Sequence, residues 1–326
     1  MPDRPRALIT QFVHEPGPSR VREQCDVTYW EDDLPMPRDR LIETVPDVDA
    51  ILCHTSTRID TEILDHAPRL KVVSNLGAGY DNIDVAACTA RRVAVCNTPG
   101  AMVDTTADTA FALMLAVARR VGEGERWVRG GRWTHWSPTL LVGGDVWGAT
   151  LGLIGLGKIG LAMARRARGF GMTILYHTRT RRPEVESELG VRYADLDTLL
   201  RESDFVSLHV PLTPETRHLI GARELALMRP TAYLINTARG AVVDQPALAE
   251  ALAQGTIAGA GLDVFEREPI DPNDPLLALE NCVLIPHVGA ASRATRARMA
   301  GIGATNLLNV LAGRPPVAIV NPQVLA

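Results

Sequence analysis

The segment from Ala149 to Gly171 reads ATLGLIGLGKIGLAMARRARGFG. Its apolar run, Leu151, Leu153 and Ile154, leads into Gly155-Leu156-Gly157-Lys158-Ile159-Gly160. Apolar residues at helical spacing follow, at Ile159, Met163, Ala164 and Ala167. A strand, a tight glycine turn and a helix start in this order form the opening of a dinucleotide-binding βαβ unit. Gly155 allows the turn, Gly157 lets the backbone approach a pyrophosphate, and Gly160 lets the helix pack close to the strand. The free N–H groups and positive dipole end of the helix then face the phosphates. A second apolar strand, Thr173 to Tyr176, follows at the distance such a unit needs.

Outward from this unit, short β-rich runs alternate with helical stretches along the whole chain. Downstream the strands read as Leu151–Ile154, Thr173–Tyr176, Phe205–Val210, Ala232–Asn236, Gly259–Val264 and Cys282–Ile285. Six strands with helices between them make a Rossmann-type domain ending near Ser292. Upstream, Ala7–Thr10, Val27–Tyr29, Ala50–Cys53, Lys71–Ser74 and Val93–Cys96 make a first parallel-sheet domain. Its helices include Arg38–Val45, Thr61–His66 and Val85–Arg91. A long helical region, Val103 to Arg129, joins the two; Gly122 and Gly124 mark a bend, and Asp104 to Thr106 cap its start near a cofactor phosphate. Arg293 to Leu311 is helical and returns to the first domain. The expected fold is α/β, with two Rossmann/flavodoxin-like parallel-sheet domains. Residues 1–101 with 293–326 form one, and 102–292 the other.

Composition agrees with a two-domain globular protein. The 326 residues exceed one ordinary core, and 46% are hydrophobic and 22% charged, with a net charge of −4. That balance offers no polyanion-binding surface, so nucleic acid is not expected as a partner. Arg165, Arg166 and Arg168 read as a solvated helix face. The five cysteines (Cys25, Cys53, Cys88, Cys96, Cys282) are scattered, without a CxxC pair, and read as buried thiols rather than metal ligands. The start MPDRPRALIT has no signal-peptide apolar region, and the apolar stretch near Ala110–Ala118 is too short to span a membrane. A cytoplasmic location is expected.

Three polar residues follow successive strands of the second domain: Arg239, Glu268 and His287. In an open parallel sheet, ligands bind outside the carboxyl ends of the strands, so these three can converge on a bound nicotinamide. Together they suit the reduction of a 2-oxo acid. Arg239 can grip the carboxylate and carbonyl oxygen with its planar donor fork. His287 can donate a proton to the carbonyl oxygen as hydride arrives. Glu268, within hydrogen-bond reach, would favour the imidazolium. His14, His54, His66, His135, His209 and His218 receive no role. In the first domain, Gly77-Ala78-Gly79 past the fourth strand can present N–H groups to an anion. Three of the five tryptophans lie between Trp127 and Trp136, and this aromatic loop reads as an interface.

Gly155-Leu-Gly-Lys-Ile-Gly160, Asn236-Thr-Ala-Arg-Gly240, Gly261-Leu-Asp-Val-Phe-Glu-Arg-Glu-Pro269 and Pro286-His-Val-Gly289 resemble the motifs of the D-isomer-specific 2-hydroxyacid dehydrogenases. Leu76-Gly-Ala-Gly-Tyr-Asp-Asn-Ile-Asp84, Thr134-His-Trp-Ser-Pro138 and Tyr176-His-Thr-Arg-Thr-Arg-Arg-Pro183 are similar to the glyoxylate/hydroxypyruvate reductases of that family. The resemblance implies Arg239 as substrate ligand, Glu268 as partner of the histidine and His287 as proton donor. It implies substrate contacts from Ala78 and Gly79, and from Trp136 of a partner subunit in a homodimer, with the active-site cleft between the domains. For the cofactor it implies the glycine turn Gly155–Gly160 with Leu156, Lys158 and Ile159. Thr106, Thr237, Ala238 and Gly289 belong to the same set, and Asp263 is expected at the nicotinamide amide.

The family's NAD-dependent members carry an Asp at the end of the second Rossmann strand. This chain has His177 there, followed by Thr178-Arg179-Thr180-Arg181-Arg182. With no carboxylate to repel a 2′-phosphate and Arg179 to bind one, NADP(H) is favoured over NAD(H). Reduction of 2-ketogluconate, oxidation of phosphite and a dinucleotide-sensing corepressor-like role are the alternatives. Thr55 to Arg58 are read as the facing pocket wall.

Overall fold

The computed structural model describes residues 4–325; Met1 to Asp3, part of the amino-terminal stretch read above, lie outside them. In chain order the elements are β1 (Arg6–Ile9), α1 (Gly17–Gln24), β2 (Asp26–Tyr29), α2 (Arg38–Thr44), β3 (Ala50–His54), α3 (Thr61–Asp65), β4 (Val72–Leu76), α4 (Val85–Ala90) and β5 (Ala94–Cys96). Then come α5 (Val103–Ala118), α6 (Val121–Arg129), β6 (Thr150–Ile154), α7 (Lys158–Gly169), β7 (Thr173–His177), α8 (Pro183–Leu189), β8 (Arg192–Tyr193), α9 (Leu196–Glu202) and β9 (Phe205–Leu208). The chain continues with α10 (Ala222–Leu227), β10 (Tyr233–Asn236), α11 (Gln245–Ala253), β11 (Gly259–Leu262), β12 (Cys282–Leu284) and α12 (Arg293–Leu311). Two compact units result: one runs to Met102 and resumes at Ala291, and the other spans Val103–Ala290.

The first unit is a five-stranded parallel sheet in the order β2-β1-β3-β4-β5. Leu8, Ile51, Cys53, Val73 and Val95 pack with Leu41, Ile63, Leu64 and Cys88 of α2, α3 and α4. On β3 and β4 also lies α12, whose Gly303 is so close that an added Cβ would fall 2.4 Å from Leu76. The carboxy-terminal stretch is tied back by two buried asparagines. Asn306 Oδ1 accepts from Val317 and Ala318, and Asn321 Oδ1 accepts from the N–H of Val95 at 2.8 Å.

The second unit is a seven-stranded parallel sheet, β12-β11-β10-β9-β6-β7-β8. Side chains alternate along its strands with period two. Leu151, Leu153, Ile174, Tyr176 and Phe205 join α5 and α7 on one face, while Ile154, Leu175, Val206 and Leu208 join α9, α10 and α11 on the other. Each fully buried Leu or Ile contributes about 1.5–3 kcal/mol. Both faces are covered, so the strands read as near-continuous apolar runs in the sequence.

Three local expectations are corrected. The sheet has seven strands instead of six: β8 is two residues long at the edge, too short to show a pattern. The helix after Val103 breaks at Arg119 and Arg120, and Gly122 and Gly124 stay inside α6. Arg120 takes the left-handed conformation (φ 51) and binds buried Glu123 at 2.8 and 2.9 Å. Gly143 passes the end of α5 so closely that a Cβ would sit 2.0 Å from the Ala118 carbonyl oxygen. Finally, Asp104 to Thr106 form the first turn of α5 and do not precede it as caps.

Among the described residues no helix is long and apolar enough to cross a membrane. All five cysteines are buried and unpaired. Burial pushes the thiol of Cys25 up to about 11 and those of Cys53, Cys88, Cys96 and Cys282 up to about 12. Both effects suppress the reactive thiolate. A disulfide reagent at pH 8 should therefore leave the folded protein unmodified and titrate five thiols after denaturation; rapid reaction of the native protein would contradict this packing.

Candidate active site

The three glycines after β6 differ in what holds them. Gly155 has φ +98, and a Cβ there would meet the His209 carbonyl oxygen at 2.5 Å. A Cβ on Gly160 would meet the Gly155 oxygen at 2.2 Å, which brings α7 onto the strand end. Gly157 has an ordinary φ of −74, and none of the described residues lies within 4 Å of its added Cβ. The fold itself does not require a glycine at 157; a molecule lying against that backbone would. Leu156 is buried, Lys158 is exposed, and Ile159 is half-buried beside it. Elsewhere in this unit, buried Thr237 Oγ1 has no partner among the described residues, as expected of a hydroxyl that meets a ligand or water. The residues present thus fit a dinucleotide.

Beyond β7 the ring of His177 is held by the Ala194 carbonyl at 3.1 Å. Thr178 Oγ1 donates to the Thr180 carbonyl at 2.7 Å and shapes the turn. The neighbouring arginines separate into two kinds. Arg181 is bound by Glu186, which also accepts from Tyr176 Oη, and Arg182 is bound by Glu184 and the Leu156 carbonyl. Arg179 is exposed and has no hydrogen bond or close ion pair among the described residues, although its charge helps to lower the Glu215 carboxyl. The basic run therefore narrows to one guanidinium available to an anion.

Arg239, Glu268 and His287 follow β10, β11 and β12, three adjacent parallel strands, so all three emerge at the same sheet end. The His287 Nδ1 to Glu268 Oε2 distance is 2.6 Å. Burial alone would raise the Glu268 carboxyl. His287, the Phe265 N–H (3.0 Å) and the charge of Arg239 outweigh it and hold the carboxyl below its usual range. Arg239 is half-buried and bonds the Ala238 carbonyl at 2.8 Å. Asn236 tightens this turn by accepting from the N–H of Ala238 and donating to the Arg239 carbonyl.

Asp263 is the buried clasp of the histidine turn. Its two oxygens accept from the N–H groups of Val288 (2.6 Å) and Gly289 (2.8 Å), and its carbonyl accepts from the His287 N–H. Burial dominates those bonds and raises its carboxyl. The side chain of Thr106 lies beside Gly289, 3.6 Å from where a Cβ would be. In the first unit, the carbonyls of Ala78 and Gly79 accept from Asn97 and Asn75 at 2.8 Å each. Their N–H groups have no protein acceptor among the described residues. Trp136 is 77% exposed, and Trp133 and Trp147 are similarly open.

Gln245 and His218, to which the sequence assigns no role, contact the loop that carries Glu268: Gln245 Oε1 accepts from the Glu266 N–H, and His218 meets the Glu266 carboxylate.

Residues 111–289 match the NAD-binding domain of the D-isomer-specific 2-hydroxyacid dehydrogenases. A glyoxylate reductase of Korarchaeum cryptofilum is 52% identical over 323 residues, covering 99% of this chain and 97% of that protein. A glyoxylate reductase of Thermococcus litoralis is 49% identical over 326 residues, covering 99% and 98%. The crystal structure of the NADPH-dependent glyoxylate/hydroxypyruvate reductase of Sinorhizobium meliloti, in complex with NADP and malonate, superposes with a TM-score of 0.86. It is 37% identical and covers 98% of this chain and 97% of that one. The chain belongs to the D-isomer-specific 2-hydroxyacid dehydrogenase family of oxidoreductases and binds a nicotinamide dinucleotide.

The contrast between the glycines is testable. Gly157→Ala should cost the apoprotein at most about 1 kcal/mol, as a changed helix cap, yet weaken dinucleotide binding at least tenfold. Gly160→Ala should lower the melting temperature by several degrees, because its methyl meets backbone. Calorimetry for dinucleotide binding and thermal unfolding of the apoprotein would show whether the two variants separate in this way.

Proposed function

We propose that the chain reduces glyoxylate and hydroxypyruvate to the corresponding D-2-hydroxy acids, with NADP(H) favoured over NAD(H). The observation that carries this reading is the 2.6 Å contact between His287 and Glu268 at the sheet end that also bears Arg239. The similarity to glyoxylate reductases over the full chain supports the substrate class.

The dinucleotide, when bound, supplies the hydride. Arg239 holds the substrate carboxylate and the carbonyl oxygen. The Nδ1 atom of His287 is taken by Glu268, so Nε2 is the ring atom that gives its proton to the carbonyl oxygen. Glu268 is ionised at neutral pH and stabilises positive charge on the ring before transfer. The free N–H groups of Ala78 and Gly79 suit a carboxylate. Asp263 orients the turn that carries His287 and leaves lone pairs for the nicotinamide amide. Thr106, Thr237, Ala238 and Gly289 complete the dinucleotide contacts. Arg179, with the backbone of Thr178 and Thr180, takes the 2′-phosphate.

The chain further acts as a homodimer, in which Trp136 reaches the partner's substrate. Exposed Val121 and Val128 lie on α6, and exposed Trp133, Trp136, Val142 and Trp147 follow between α6 and β6, a concentration of apolar side chains that favours burial against a second copy. The buried thiols support a cytoplasmic location.

Initial rates of NADPH and NADH oxidation with glyoxylate, hydroxypyruvate, pyruvate and 2-ketogluconate test the reading. The two small acids with NADPH should be fastest; silence with all four in a protein that binds the dinucleotide would overturn it. In the same assay His287→Ala should lower turnover at least about a hundredfold with dinucleotide affinity retained. Arg179→Ala should weaken NADPH about tenfold more than NADH, and equal losses would remove the 2′-phosphate role. Sedimentation should return twice the chain mass, and a monomer would refute the dimer.

A further inference from the structure

Two histidines of this unit stand in the left-handed conformation that is uncommon outside glycine, His287 (φ 52) and His218 (φ 51). Each meets a carboxylate of the same short loop. His287 Nδ1 lies 2.6 Å from Glu268, and His218 Nε2 lies 2.5 Å from Glu266, two residues earlier. We propose that His218 and Glu266 are positioning residues, which hold the 265–268 loop in the one placement that brings Glu268 to His287.

The surroundings of the pair support this role. The His218 N–H donates to the Ala241 carbonyl at 2.8 Å, and Ile220 pairs with Val243 as a short parallel bridge. These bonds attach the His218 segment to the turn that follows Arg239. From there its ring reaches across to Glu266. The same turn touches the loop a second time: a Cβ on Gly240 would lie 1.8 Å from the Phe265 carbonyl carbon and 2.4 Å from the Glu266 nitrogen. The Glu266 N–H donates to Gln245 Oε1 at 2.9 Å, and Gln245 in turn donates to Asp274 at 2.6 Å. Next to these anchors, the Phe265 N–H binds Glu268 Oε1 and leaves Oε2 for His287.

An exposed pair such as His218 and Glu266 adds little to overall stability. Its cost is a strained backbone at His218, and strain of this kind persists where it has a local use. Here the use is geometric. Arg239 and Glu268 stand on two separate loops, and His218 is bonded to both. A displacement of about 1 Å at a reacting group is enough to lose up to a hundredfold in rate.

The proposal rests on the reading of Glu268 as the partner of His287, so the test is a double-substitution cycle. Turnover with glyoxylate and saturating dinucleotide is measured for the unaltered protein, His218→Asn, Glu268→Gln and the double variant. Asparagine keeps the left-handed backbone but is too short to reach Glu266. His218→Asn should lower kcat about tenfold in the unaltered background and not at all in Glu268→Gln, with dinucleotide affinity unchanged. Glu266→Ala should reproduce the loss, and Glu266→Gln, which keeps an acceptor, should restore most of the rate. Equal losses in both backgrounds, an unchanged kcat, or a joint loss of dinucleotide binding would each overturn the positioning role. If Glu268→Gln alone left kcat intact, the reading of Glu268 itself would fall first.

Discussion

The strands of the seven-stranded sheet all run parallel, so the links between them must cross over it, and the helices in those links cover both faces. Every strand of the unit then ends on one side. Arg239, Glu268 and His287 are 29 and 19 residues apart in sequence, but they follow β10, β11 and β12, which are neighbours in the sheet. The glycine turn follows β6, where the chain order reverses between β7 and β9, the place where such sheets open a crevice. No long-range attraction among the polar groups is needed to gather them. The apolar faces of the strands do it, and the loops carry the chemistry.

Two carboxylates five residues apart show how local surroundings then divide the work. Asp263 is about 1% exposed and meets mostly the dipoles of backbone N–H groups. Burial prevails, and its carboxyl rises. Glu268 also pays for partial burial, but it faces His287 and the charge of Arg239, and its carboxyl falls. At Glu268 the contact with His287 and the charge of Arg239 outweigh desolvation, while at the more deeply buried Asp263 the backbone N–H groups and the charge of His287 do not. Asp263 is accordingly a clasp for the turn, and Glu268 is a stable negative charge beside the His287 ring.

The left-handed histidines show the same division between energy and placement. Neither His218 nor His287 gains conformational comfort from its backbone, yet both gain a carboxylate at hydrogen-bond distance. The basic run after β7 is a parallel case. Four residues, Arg179 to Arg182, include three guanidiniums, but Glu186 and Glu184 neutralise two of them. Composition counts three positive charges, while the folded turn offers one.

By itself the sequence determined the two parallel-sheet domains, the glycine turn, the long α12 and the places of Arg239, Glu268 and His287 just past three strand ends. Those features rest on apolar runs and on residues a few positions from a strand end, and such local patterns survive without knowledge of the partner. Tertiary structure decided the rest. The break at Arg120 depends on Gly143 passing the end of α5, and β8 exists only because β7 offers it an edge. That Gly157 is open while Gly155 and Gly160 are closed by backbone follows from where His209 and α7 come to lie. His218 meets Glu266 across a sequence separation of 48, a contact with no periodicity to announce it. Such contacts are set by how close two loops approach, and that distance is a property of the packed sheet, not of any short stretch of chain.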